Sequence, residues 1–177
     1  QYATTFSTIL SSVTKGDAAL RNEKIIFDKY FLSFADQTVL KIKESYQIAT
    51  NAFSKTNQEA ETMRTLNSPS SIESALSSIR ESLIKISTSL EAIGSALGDP
   101  LYKATSANRD TIDTHRNAIS AELSNITGAS NNLASLKISN QIKIDDANAA
   151  IRANQASLKE VQASLALTIQ KIEKTKL

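Results

Sequence analysis

A single histidine, His115, bounds the side-chain chemistry open to this 177-residue chain. A Ser-His-Asp relay would have to be built on it, and an imidazole metal site or histidine dyad lacks its second member. His115 stands next to Arg116 and two residues after Asp113, while Arg109 and Arg116 are seven apart and share one helix face. Two guanidiniums on one face can clamp a carboxylate, so Asn108, Arg109, His115 and Arg116 are the candidate ligand-binding residues, placed between helices as in bundle proteins. The plainer reading of His115 is a polar layer in a helix seam, which fixes register as a buried Asn does.

Other chemistry is scarce. No cysteine is present, which removes disulfides, thiol catalysis and thiolate metal sites. The four glycines are isolated from one another and make no phosphate loop, and Asp145 and Asp146 point to different helix faces without the ligand run of a calcium loop. The expectation is therefore no catalytic residue, no cofactor, no metal and no enzymatic activity. Phe27, Tyr30, Phe31 and Phe34 gather nearly half of all aromatic residues, which reads as core at the wide end of a bundle or a kink, with an apolar pocket or partner groove as the alternative.

The elements that position these residues are helices. Only four Gly and two Pro interrupt a chain rich in Ala, Leu, Ile, Lys, Glu, Gln and Ser, so turns are few and elements long. Ile72, Leu76, Ile79, Leu83, Ile86, Leu90, Ile93 and Leu97 alternate by four and three, the spacing of a coiled-coil seam. Ser70 and Glu73 read as its capping box, Gly98 as a left-handed close, and Asp99 and Pro100 as the start of the next helix in an αα-hairpin. Upstream, one stripe runs through Val39, Ile42, Tyr46, Ala49, Phe53, Thr56, Ala60 and Met63. Another runs through Tyr2, Phe6, Ile9, Val13, Leu20, Phe27 and Phe34, with Gly16 at one expected position.

Downstream, Leu101, Thr105, Asn108, Ile112, His115, Ile119, Leu123 and Ile126 form a weaker seam, and Gly128 to Asn132 resemble a turn. Leu133, Leu136, Ile144, Ala147, Ile151, Asn154, Leu158, Val161, Leu165, Thr168 and Ile172 then carry a long helix to the end. The fold class is all-α: one domain, an elongated antiparallel four-helix bundle with long coiled-coil-like helices. Helices fall at about 2–34, 36–66, 70–97, 99–127 and 131–176. The two stripes slip by one residue near Phe34, and no Gly or Pro there can make a full reversal. We therefore expect residues 2–66 to run as one stalk, a break near residue 35 giving five helices instead. In the stalked form both chain ends fall toward one end of the molecule.

With 20 basic and 18 acidic residues the net charge is +2, and no basic block interleaves with aromatics, so nucleic acid is not an expected partner. No window approaches the ~20 apolar residues of a membrane span, and from the start at Gln1 we expect that something upstream has been removed, whether a signal peptide, a membrane anchor or a boundary segment. Any membrane association is expected through flanking segments.

The run Leu20, Arg21, Asn22, Glu23, Lys24, Ile25, Ile26, Phe27 resembles the first long helix of the helical sensor ectodomains of bacterial chemoreceptors and related histidine kinases. That resemblance implies a periplasmic, dimeric, signal-transducing bundle that binds a small-molecule ligand or a partner protein, with Lys171, Glu173, Lys174 and Lys176 leading toward a membrane anchor. The expected function is thus a non-enzymatic extracytoplasmic sensor or interaction domain, working as a homodimer. Its alternatives are a secreted helical-bundle toxin or translocator component acting on membranes, and a structural coiled-coil or apolar-ligand carrier protein.

Overall fold

The computed structural model describes residues 2–175. It is an all-α helical bundle with four long helices, α1 (Tyr2–Tyr30), α2 (Gln37–Leu66), α3 (Pro69–Leu97) and α4 (Ser106–Thr175), and a short 3-10 turn at Pro100–Tyr102. The helical end expected at residue 176 lies outside the described residues.

The single stalk over residues 2–66 is not formed, because α1 ends at Tyr30 and α2 begins at Gln37. Aromatic packing and a cap make this break without Gly or Pro. Asp36 accepts a hydrogen bond from the Val39 amide at 2.9 Å and starts α2. Phe31 is fully buried, and Tyr102 packs against both Phe31 and Phe34 with ring centroids 4.6 and 5.1 Å away. The Tyr102 hydroxyl also donates to Asp36 at 2.8 Å, tying the α1–α2 and α3–α4 connections together.

The α3 seam is buried at all eight expected positions from Ile72 to Leu97. Each such side chain contributes about 1.5–3 kcal/mol on leaving water, which makes α3 the axis of the core. The α2 stripe packs on it, buried at every expected position except Tyr46, which is half-buried. The ends of α3 differ from expectation. Ser68, not Ser70, is the N-cap, exchanging hydrogen bonds with Ser71 rather than Glu73, because Pro69 occupies the first helical position. Gly98 closes α3 in right-handed geometry with φ −71°; among the described residues the left-handed ones are Asn67 (φ 44°) and Lys103 (φ 50°). The next helix starts at Ser106 rather than residue 99, since Asp99 and Pro100 begin only the 3-10 turn.

On α1 the buried stripe is rotated from the expected one. It runs Thr5, Ile9, Ser12, Gly16, Ala19, Glu23 and Ile26 in three-four alternation; of the expected stripe Ile9, Gly16 and Leu20 are buried, while Phe6, Val13 and Phe27 are half-buried at its edge. Small and polar residues therefore face the core. A Cβ on Gly16 would stand 2.7 Å from the Phe53 ring and 3.3 Å from Ile86, so glycine permits α1 to approach α2 and α3 closely.

By its internal packing the chain divides into two units, 1–133 and 134–177. The first holds α1, α2, α3 and α4 as far as Leu133, with Ile112, Ile119, Ile126, Ala129 and Leu133 buried. The turn expected at Gly128–Asn132 is helical. Burial of Ile126, Ala129 and Leu133 carries the stripe straight through it and overrides local turn preference. The second unit is helical as far as Thr175, and all its residues from 137 to 175 are exposed.

Candidate functional site

The expected ligand quartet sits on the first three turns of α4 and does not converge. The Asn108 side-chain oxygen accepts from the hydroxyls of Tyr30 and Thr105, both at 2.6 Å. Arg109 is exposed and donates to the Ala104 carbonyl at 3.3 Å, beside its own helix start. Arg116 pairs with Asp113 at 3.1 Å and approaches Glu91 of α3 at 3.9 Å. The two guanidiniums thus have separate partners. His115 is half-buried, and burial pushes its imidazole below the usual value, which favours the neutral ring.

The carboxylates that the fold does bury lie elsewhere. Glu122 of α4 is 1% exposed and accepts from Ser12 at 2.6 Å and from Lys15 of α1. Burial acts to raise its pKa, but the hydrogen bonds from Lys15 and Ser12 and the lysine charge outweigh it, leaving the group below the ordinary carboxyl range. Above this pair the two helices bound an open groove of about 490 Å³, lined by Thr4, Ser7, Thr8, Ser11 and Asn125.

Glu23 has the opposite environment. It is fully buried between α1 and α3, where one oxygen accepts from Ser89 and the other has no partner. Burial raises its pKa to about 7, only partly countered by the Ser89 hydrogen bond. Below neutrality this is a protonated core carboxyl, and it releases its proton as pH passes through 7. A third polar contact joins α2 to α3 through Thr56, whose hydroxyl donates to the Ser78 carbonyl at 2.9 Å. These buried groups form three separate contacts spread along the bundle, Ser12 with Glu122, Glu23 with Ser89 and Thr56 with Ser78.

The largest chemical asymmetry is in the second unit. Ile144, Ile151, Leu158, Leu165 and Ile172 recur every seven residues, with Ala147, Asn154, Val161 and Thr168 between them, continuing the spacing that is buried on α3. Here the same pattern is open to solvent: Leu158 is 57% exposed, Val161 61% and Leu165 59%. Asp145, Asp146, Arg152, Lys159, Glu160, Glu173 and Lys174 fall away from this stripe, and its immediate flanks carry Asn148, Ala150, Gln155, Ser157, Gln162, Ser164 and Ile169, with Lys143 and Lys171 at the two ends.

Sequence reasoning missed Ser12, Glu23, Ser89 and Glu122. Glu23 had a signal, since it follows Gly16 by one heptad, but an apolar stripe one residue away masked it. Among the described residues no helix is long and apolar enough to cross a membrane, and no cluster of His, Cys, Asp or Glu could hold a metal ion. No family model, no curated protein and no solved structure matches this chain.

Proposed function

We propose that the chain is a non-enzymatic protein-interaction module: an antiparallel four-helix bundle that serves as scaffold, continued by a coiled-coil helix that docks a partner helix. The observation that carries this reading is the exposed stripe from Ile144 to Ile172. Isolated helices gain little stability in water, and an apolar stripe of this length is the surface that a second helix covers. Support for antiparallel neighbours comes from the polar contacts: Ser45, Thr56 and Glu59 of α2 meet Ser89, Ser78 and Ser74 of α3, positions rising on one helix as they fall on the other. Ser12 and Tyr30 of α1 meet Glu122 and Asn108 of α4 in the same sense. The interaction branch is preferred to small-molecule sensing because Arg109 and Arg116 are engaged with different groups.

Hydrogen exchange on dilute, monomeric chain tests the proposal. Amides of α2 and α3 should exchange slowly and those of residues 137–175 fast, as expected of a helix waiting for a partner. Slow exchange across 137–175 in the dilute monomer would mean that the stripe is already satisfied, and the reading would fall.

A further inference from the structure

We propose that the stripe from Ile144 to Ile172 docks the same segment of a second copy of this chain, the two helices running in opposite directions. This rests on the interaction reading above and names its partner. The first argument is chemical self-compatibility. Among the flanking positions only Lys143 and Lys171, at the two ends of the stripe, carry a charge; those from Asn148 to Ser164 carry none, so over the central turns two copies meet without the like-charge contacts by which coiled coils exclude their own sequence.

The second argument is volume. One set of stripe positions is uniformly large (Ile144, Ile151, Leu158, Leu165, Ile172) and the other mostly small (Ala147, Asn154, Val161, Thr168). Parallel pairing stacks like on like and leaves thin layers at Ala147 and Thr168. Antiparallel pairing sets large against small in every layer: Ala147 on the partner's Ile172, Ile151 on the partner's Thr168, Asn154 on the partner's Leu165, and Leu158 on the partner's Val161.

Area supplies the third argument. The six large side chains from Ile144 to Ile172 are each 50–61% exposed. Covering them with their smaller neighbours removes on the order of 600 Å² per copy, about 1,200 Å² in all, the lower end of the range for specific interfaces. An open apolar surface of about 600 Å² lies at the upper end of what a monomer leaves exposed.

Light scattering on the full chain across micromolar concentrations is expected to give twice the 19.1 kDa chain mass. Leu158→Glu with Leu165→Glu is expected to return the monomer mass while unfolding of the 1–133 unit is unchanged, because both side chains lie outside that unit. The absence of cysteine allows orientation to be read directly. Ala147→Cys with Ile172→Cys should form disulfide-linked dimers on oxidation, and Ala147→Cys alone should not. Ready linkage of the single variant would overturn the antiparallel pairing. A monomer with fast exchange over 137–175 would overturn the second copy as partner and leave the docking reading intact, pointing to a different helix. A monomer with slow exchange there would overturn both.

Discussion

The Tyr102 hydroxyl reaches across the end of the bundle to the Asp36 carboxylate at 2.8 Å, so the residue that caps α2 is held by the connection leading into α4. Tyr102→Phe keeps the ring against Phe31 and Phe34 and loses only this bond. It is expected to cost about 1 kcal/mol in urea unfolding. Asp36→Ala removes the cap as well and should cost about 1–2 kcal/mol. The double variant should fall short of the sum, because both changes break one shared contact.

Glu23 makes stability depend on pH in a stated direction. Its folded pKa, about 7, lies above the unfolded value of 4.5, so the folded chain holds a proton that the unfolded chain has released. Stability should be greatest below pH 4.5 as far as this group is concerned, decline as pH rises from 4.5 to 7, and level off above 7. The loss is on the order of 3 kcal/mol. Glu23→Gln keeps a group able to meet Ser89 and should abolish this slope in denaturation midpoints measured between pH 5 and 8. An unchanged slope would assign the effect to another group.

Glu122 works with the opposite sign. Its folded pKa is depressed, so its contribution is present above the unfolded pKa and lost as acid titrates it through the folded value, below the ordinary carboxyl range. Lys15→Ala should cost about 1–2 kcal/mol at neutral pH, because a buried carboxylate loses a charged donor. At pH 3 the difference between this variant and the parent should shrink. A constant difference would mean that the lysine stem, and not its charge, carries the effect.

Gly16 tests the close approach of α1. Leucine at this position must displace the Phe53 ring and Ile86, and Gly16→Leu is expected to destabilise the bundle by about 1–3 kcal/mol despite its better helix propensity. A stabilised variant would show that the core yields at that point.

Arg109→Ala and Arg116→Ala separate the ligand-clamp expectation from the observed geometry. Both guanidiniums are exposed, and Arg116 meets Asp113 one helical turn away. Each substitution should change unfolding free energy by less than about 0.5 kcal/mol. Calorimetric titration of the parent chain with a small dicarboxylate should show no saturable heat, and saturable heat lost in both variants would restore the clamp.

How much of this was readable in advance depended on how strongly apolar each face was. The α2 and α3 stripes were legible residue by residue, because Leu and Ile recur there without competition. On α1, two stripes one residue apart compete, and the aromatic one is the more conspicuous in sequence. The packed one contains Gly16, Ser12 and Glu23, whose worth comes only from contact with α2, α3 and α4. The break before Asp36, ranked second to a continuous stalk, and the straight passage through Gly128, read as a turn, were misweighed for one reason. Local turn preferences are weak, and the Phe31–Tyr102 packing in one case and the Ile126–Leu133 burial in the other decide the backbone. At the candidate site, residue types located the polar positions of α4, but direction settled their roles: Asn108 turns to Tyr30, and the arginines turn to separate partners.

The separation in sequence of contacting helices also orders assembly. Thr56 and Ser78 lie 22 residues apart, whereas Ser12 and Glu122 lie 110 apart. Closing the shorter loop loses less chain entropy, so α2 with α3 should form the early nucleus and α1 with α4 should clasp it afterwards. Lesions at Ile79 or Leu83 should therefore slow refolding, while lesions at Ser12 or Glu122 should chiefly speed unfolding.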